Sequence, residues 1–200
     1  MQLKRFTSHE LQHELMRKAA SPLRIIVMGV SGSGKSTLAE GLAKSLGLRM
    51  KDGDELHLPE SVAKMSAGIA LEDADRWPWL DRIAHYLAHD AQSPVGTAGA
   101  IVSCSALKRV YRDRIRQQAG PLVFLFLDGQ PELIKQRMQD RKGHYMQAGL
   151  LASQLQTLER PSAYETDVIA LSINQAVSDL LENAMAKLVA YQEDTLRHTS

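Results

Sequence analysis

Short apolar bursts recur along the chain at Ile25–Met28, Ile101–Cys104, Leu122–Leu127 and Val168–Ile173, each rich in branched or aromatic residues. Runs of this length suit strands buried on both faces of a parallel sheet. A weaker strand is expected at Leu48–Lys51. Helical patterns fill the intervals: Lys35–Leu46, Trp79–His89, Leu107–Gln118, Pro131–Arg141, Leu150–Leu158 and Ala176–Tyr191. In the first of these, Leu38, Leu42 and Leu46 share one face, and Gly47 stands where a glycine would end the helix. Pro131 follows Asp128-Gly129-Gln130 as a helix-starting proline. Alternating strands and helices predict an α/β layered domain. Residues 1–22 stand apart as an N-terminal extension, either a short helix over Ser8–Ala19 or a frayed segment, and residues 23–200 form one domain.

Global numbers narrow the partners. The 200 residues suit one domain with a substantial core. A formal net charge of +1 argues against nucleic acid or an acidic membrane as the main partner. The single cysteine, Cys104, cannot form an internal disulfide, and no apolar run approaches the ~20 residues of a membrane span. A cytoplasmic protein is expected.

The stretch Gly29-Val30-Ser31-Gly32-Ser33-Gly34-Lys35-Ser36 matches the phosphate-binding loop pattern, lies between a predicted strand and a predicted helix, and runs on into Thr37. Its glycines let several backbone N–H groups converge on phosphate, aided by the helix dipole. Lys35 is expected to reach the β- and γ-phosphates of ATP, and Ser36 to offer its hydroxyl to Mg2+. The chain has no N-K-x-D base-reading motif, and Ile101–Ser105 ends without the usual metal-binding aspartate, which weakens GTPase and motor-type assignments and favours a small-molecule kinase.

Three further constellations bear on the acceptor. Asp52-Gly53-Asp54 places two carboxylates at the predicted carboxyl end of the second strand. Asp54 is the candidate base for an acceptor hydroxyl and Asp52 a candidate Mg2+ support, the alternative being a simple acidic turn. Lys108, Arg112 and Arg116 recur at helical spacing and can hold a carboxylate or phosphate, or else form a solvated basic face. Arg137 and Arg141, before Gly143, suit a lid over the triphosphate at about residues 137–150, or complement a helix end. Lys35, Asp54 and Arg141 are thus the catalytic candidates. His85 and His89 have zinc-ligand spacing but no third ligand nearby, which leaves a half-exposed helix face.

The ordered run MGVSGSGKS, DGDELH, KMSAG, DADRWPWL, CSALKRVYRDRIR and RKGHYM resembles the P-loop gluconokinases over about residues 25–188. That resemblance implies a nucleoside-monophosphate-kinase-type fold: a five-stranded parallel sheet flanked by helices, with a lid. It also implies ATP-dependent phosphorylation of D-gluconate at its 6-hydroxyl, and a homodimer. Carried over, it adds His57 and Arg76 to the substrate-binding candidates Asp54, Lys108, Arg112 and Arg116, and places Arg137 beside the nucleotide. Departures from the family pattern fall at Ser61, at Leu58 between His57 and Pro59, at Ala74, and at Glu159-Arg160-Pro161. A shikimate-like kinase and a non-catalytic nucleotide-binding protein are the alternatives, the former disfavoured by Cys104-Ser105-Ala106 where a triple glycine is usual.

Overall fold

The computed structural model describes residues 10–11, 13–15, 22–90, 99–140 and 148–199. Five strands, β1 (Leu23–Met28), β2 (Arg49–Asp52), β3 (Gly99–Cys104), β4 (Val123–Asp128) and β5 (Val168–Ser172), pair in the order β2-β3-β1-β4-β5. Every pair is parallel, with Leu23 opposite Gly99 and Met28 opposite Cys104 in the central pair. The helices are α1 (Lys35–Leu46), α2 (Pro59–Ser66), α3 (Asp73–His85), α4 (Arg109–Ala119), α5 (Pro131–Asp140), α6 (Ala148–Thr157) and α7 (Val177–Thr199).

Side chains alternate across the central strands and build two cores. Ile25, Val27, Ile101, Val123 and Leu125 pack with Leu38 and Leu42 of α1 and Met185 and Leu188 of α7. Ile26, Met28, Val102, Phe124 and Phe126 pack on the other face with Trp79, Leu80 and Ile83 of α3 and Tyr111 and Ile115 of α4. The sheet is therefore buried on both faces, as its continuous apolar strands require. Residues 10–11 and 13–15 are helical, and Leu11 and Leu15 enter the first core. At those two positions the N-terminal extension is anchored.

Two helices depart from the sequence expectation. Helix α3 begins at Asp73 rather than near Trp79, because Glu72 and Asp75 form a reciprocal capping box. Pro78 lies inside this helix, not at its entrance. Helix α2 was not expected, although Pro59 occupies a favoured first-turn position.

The topology sets the site. From β1 the chain moves to β2 and β3 on one side, then crosses to β4 on the other. Loops leaving β1 and β3 thus diverge at their carboxyl ends, the place where open α/β sheets bind ligands.

Candidate functional site

The loop Gly29–Gly34 joins β1 to α1. Gly32 and Gly34 have φ of 80° and 97°, a region that favours glycine, and Gly34 is the residue before the first turn of α1. The Gly29 N–H donates to the Ser105 carbonyl at 3.3 Å, which ties the loop to the end of β3. The Ser33 N–H donates to the Val30 carbonyl at 3.3 Å, and Lys35 Nζ donates to the same carbonyl at 3.1 Å. Thr37 is exposed in the first turn of α1. The result is a curled loop with a lysine and a helix N-terminus at its mouth, suited to phosphate.

A short hydrogen-bond relay connects this loop to the acidic turn. Ser36 Oγ donates to Asp52 Oδ2 at 3.0 Å, and the Asp54 N–H donates to Asp52 Oδ1 at 3.0 Å. Asp52 closes β2 and caps the single 3-10 turn Gly53–Leu56 that carries Asp54. Gly53 makes this turn possible: a Cβ there would lie 2.6 Å from the Ser103 carbonyl oxygen and 2.9 Å from Cys104 Cβ. Trp79 Nε1 donates to the Gly53 carbonyl at 2.7 Å and locks the turn onto α3. Lys35, Asp54 and Asp52 all act electrostatically on the buried Cys104 thiol, which burial pushes up to about 12. The cysteine is inert packing, and it marks where the three charged groups converge.

Beyond Asp54 lies a second group of polar side chains. The His57 ring stacks on Trp79 with centroids 4.5 Å apart and planes 8° from parallel. Burial lowers the His57 pKa, the Asp54 charge opposes that shift and the Arg76 charge adds to it, so the ring is neutral at pH 7. Its Nδ1 is buried without a partner among the described residues. Arg76 lies over the Tyr111 ring at 5.8 Å and donates to the Leu71 carbonyl. Lys108 Nζ donates to both Asp73 oxygens at 2.8 and 3.0 Å, and Tyr111 Oη donates to Asp73 Oδ1 at 2.5 Å. Hydrogen bonds from Lys108 and then Tyr111 hold the Asp73 carboxyl below its ordinary range.

The arginines of the expected basic stripe do not join this group. Arg112 is fully buried, with Nε and Nη2 each 2.7 Å from Glu165 and Nη1 bonded to the Ala106 and Leu107 carbonyls. Arg116 spends its nitrogens on Asp167, Asp113 and Glu165. Neither guanidinium is presented to a substrate, which corrects the expectation that Lys108, Arg112 and Arg116 grip one anion. Carboxylates from the segment before β5 arrive on that face instead. Lys108, just before α4, is the stripe residue that remains at the site edge.

Arg137 lies in α5 and donates to the Ile173 carbonyl at 2.7 Å, at the loop following β5. Arg141 lies outside the described residues, as do residues 142–147 of the expected lid. Arg160 pairs with Asp128 at 2.5 Å at the end of β4. Asp73, Tyr111 and Trp79 were not singled out as site residues in the sequence, although the run DADRWPWL contains two of them.

Two hard oxygen donors, the Ser36 hydroxyl and the Asp52 carboxylate, therefore stand side by side. That pair fits Mg2+, which uses one or two protein oxygens and completes its shell with phosphate and water. Among the described residues, no group of three or more His, Cys, Asp or Glu side chains assembles to hold a metal by itself. The His85 and His89 rings lie 4.4 Å apart with planes tilted by 40°, and among the described residues no third ligand of that kind joins them.

A family profile described as an AAA domain matches residues 25–161. The chain is 41% identical over 173 residues to the thermosensitive gluconokinase of Escherichia coli, covering 86% of this chain and 90% of that protein. The chain belongs to the gluconokinase family. A gluconokinase from Gluconobacter oxydans is 45% identical over 155 residues, covering 78% of this chain and 83% of that one. The crystal structure of a gluconokinase from Sinorhizobium meliloti superposes with a TM-score of 0.80 at 43% identity, covering 90% of this chain and 98% of that chain. The Sinorhizobium meliloti gluconokinase thus shares the overall fold described above. No helix among the described residues is long and apolar enough to cross a membrane.

Proposed function

We propose that this chain transfers the γ-phosphoryl group of ATP to the 6-hydroxyl of D-gluconate, giving 6-phospho-D-gluconate and ADP. The observation that carries this reading is the relay from Ser36 through Asp52 to Asp54, which sets a phosphate-binding helix end beside an exposed carboxylate.

Backbone N–H groups of the Gly29–Ser36 loop that have no protein partner among the described residues, those of Gly32 and Gly34 included, hold the triphosphate, with Lys35 neutralising charge at the phosphoryl group that moves. Ser36 and Asp52 would hold Mg2+, which would supply positive charge against the phosphate oxygens. Asp54 aligns the acceptor hydroxyl and takes its proton as the new O–P bond forms and the bond to ADP breaks. His57, Arg76 and Lys108 bound the acceptor side. His57 is neutral and offers hydrogen bonds to hydroxyls, while Arg76 and Lys108 supply positive charge for the gluconate carboxylate. Arg137 and Arg141 complement the nucleotide charge.

An ADP-release assay across gluconate, 2-ketogluconate and shikimate tests the reading. Gluconate is expected to stimulate release most strongly. Absence of stimulation by any sugar acid overturns it.

A further inference from the structure

Helix α6 carries Leu151 and Leu155 toward the first core, and Leu158, the residue after its last turn, packs there too, at i, i+4 and i+7. Gln154 lies on the same side of the helix, three residues from Leu151 and four from Leu158, and is half-buried. A glutamine on an apolar stripe costs desolvation unless its carboxamide finds a partner. The partner is the phosphate loop: the Ser31 N–H donates to Gln154 Oε1 at 2.6 Å, across 123 residues of chain. Because the backbone group is a donor, the facing carboxamide atom is the oxygen.

We infer that Gln154 is a positioning residue for nucleotide binding, setting the curvature of the phosphate loop by holding the Ser31 N–H. The loop's hydrogen bonds divide cleanly. Gly29, Ser31 and Ser33 give their N–H groups to Ser105, Gln154 and Val30. Among the described residues, the N–H groups of Gly32 and Gly34 have no protein partner. Pinning Ser31 therefore orients the adjoining peptides and leaves these two donors for phosphate. Helix α5 acts on the same part of the loop, since a Cβ at Gly32 would lie 2.5 Å from Met138 Cγ and 3.2 Å from Ile134 Cγ2. Two helices distant in sequence thus fix the loop before any nucleotide contact is made. The inference rests on Gly29–Ser36 being an ATP loop, as proposed above.

Two variants of the full chain test it. Gln154→Leu keeps the size and the apolar contacts and removes the acceptor, whereas Gln154→Glu keeps an acceptor but adds charge beside the triphosphate. In Gln154→Leu, MgATP affinity measured by calorimetry is expected to fall roughly three- to tenfold. The gluconate KM should stay near wild type, and hydrogen exchange at the Ser31 amide should accelerate. In Gln154→Glu, that amide stays protected while MgATP affinity falls further. Unchanged MgATP affinity or unchanged Ser31 exchange in Gln154→Leu overturns the inference. If that variant does not fold, lost Ser31 protection in Gln154→Glu, which keeps an acceptor at the same place, overturns it. Failure of the wild-type protein to bind MgATP would instead remove the ATP assignment, and Ser31 exchange would still report whether Gln154 holds the loop.

Discussion

Arg112 and Glu165 meet as a buried two-pronged ion pair, with Nε to Oε2 and Nη2 to Oε1 both at 2.7 Å. The pair joins α4 to the segment that leads into β5, and its remaining carbonyl bonds at Ala106 and Leu107 brace the turn after β3. A guanidinium held in this way supports the site from behind.

Arg112→Ala is therefore expected to destabilise the fold by about 3–5 kcal/mol, the cost of taking the two-pronged partner from a buried carboxylate that keeps its Arg116 contact. The gluconate KM of the folded protein should remain near wild type. Chemical denaturation together with steady-state kinetics checks both. A large rise in KM at unchanged stability would return Arg112 to the substrate.

Acid stability follows from the same pair. Burial alone would raise the Glu165 pKa, but hydrogen bonds from Arg112 and then Arg116 outweigh it and bring it down to about 2, from an ordinary 4.5. A carboxyl depressed in the folded state stabilises above its unfolded pKa, and that contribution disappears as pH falls from about 4.5 toward 2. Melting temperature followed over this window should drop steeply in the wild type. In Glu165→Gln it should start lower and depend less on pH.

Asp54→Asn removes the proposed base and leaves the phosphate loop untouched. Turnover should fall by about 10²- to 10⁴-fold, with MgATP affinity little changed. Comparing kcat with calorimetric affinity separates the two, and equal losses in both would reject the base role.

Gly53→Ala tests how the acidic turn is held. The added methyl would meet the Ser103 carbonyl and Cys104 Cβ, both on the rigid central sheet. A loss of about 1–3 kcal/mol is expected. Turnover should also fall, since the turn carrying Asp54 must move outward. Wild-type stability measured by denaturation would show that the turn accommodates the methyl freely.

Much of this site is legible in local chemistry. The phosphate loop needs only glycines, a lysine and a hydroxyl in a fixed order between a strand and a helix, so it can be read without tertiary information. The Asp52–Asp54 turn is legible for the same reason. The basic stripe was misassigned because helical spacing says which side chains share a face, but not what packs against it. Glu165 and Asp167 reach Arg112 and Arg116 from about 50 residues away. Pro78 misplaced the start of α3, because the capping box at Glu72 and Asp75 lies a full turn and more upstream. Trp79, read as entrance packing, also anchors Gly53 and stacks on His57, contacts that exist only once α3 meets the turn after β2.

The position of the phosphate on the product tests the central claim most directly. After incubation with MgATP and D-gluconate, phosphorus–proton correlated NMR should show the new phosphorus signal coupled to the terminal C6 methylene protons. Coupling to an internal CH proton, or ADP formed without any phosphorylated sugar acid, would contradict the account.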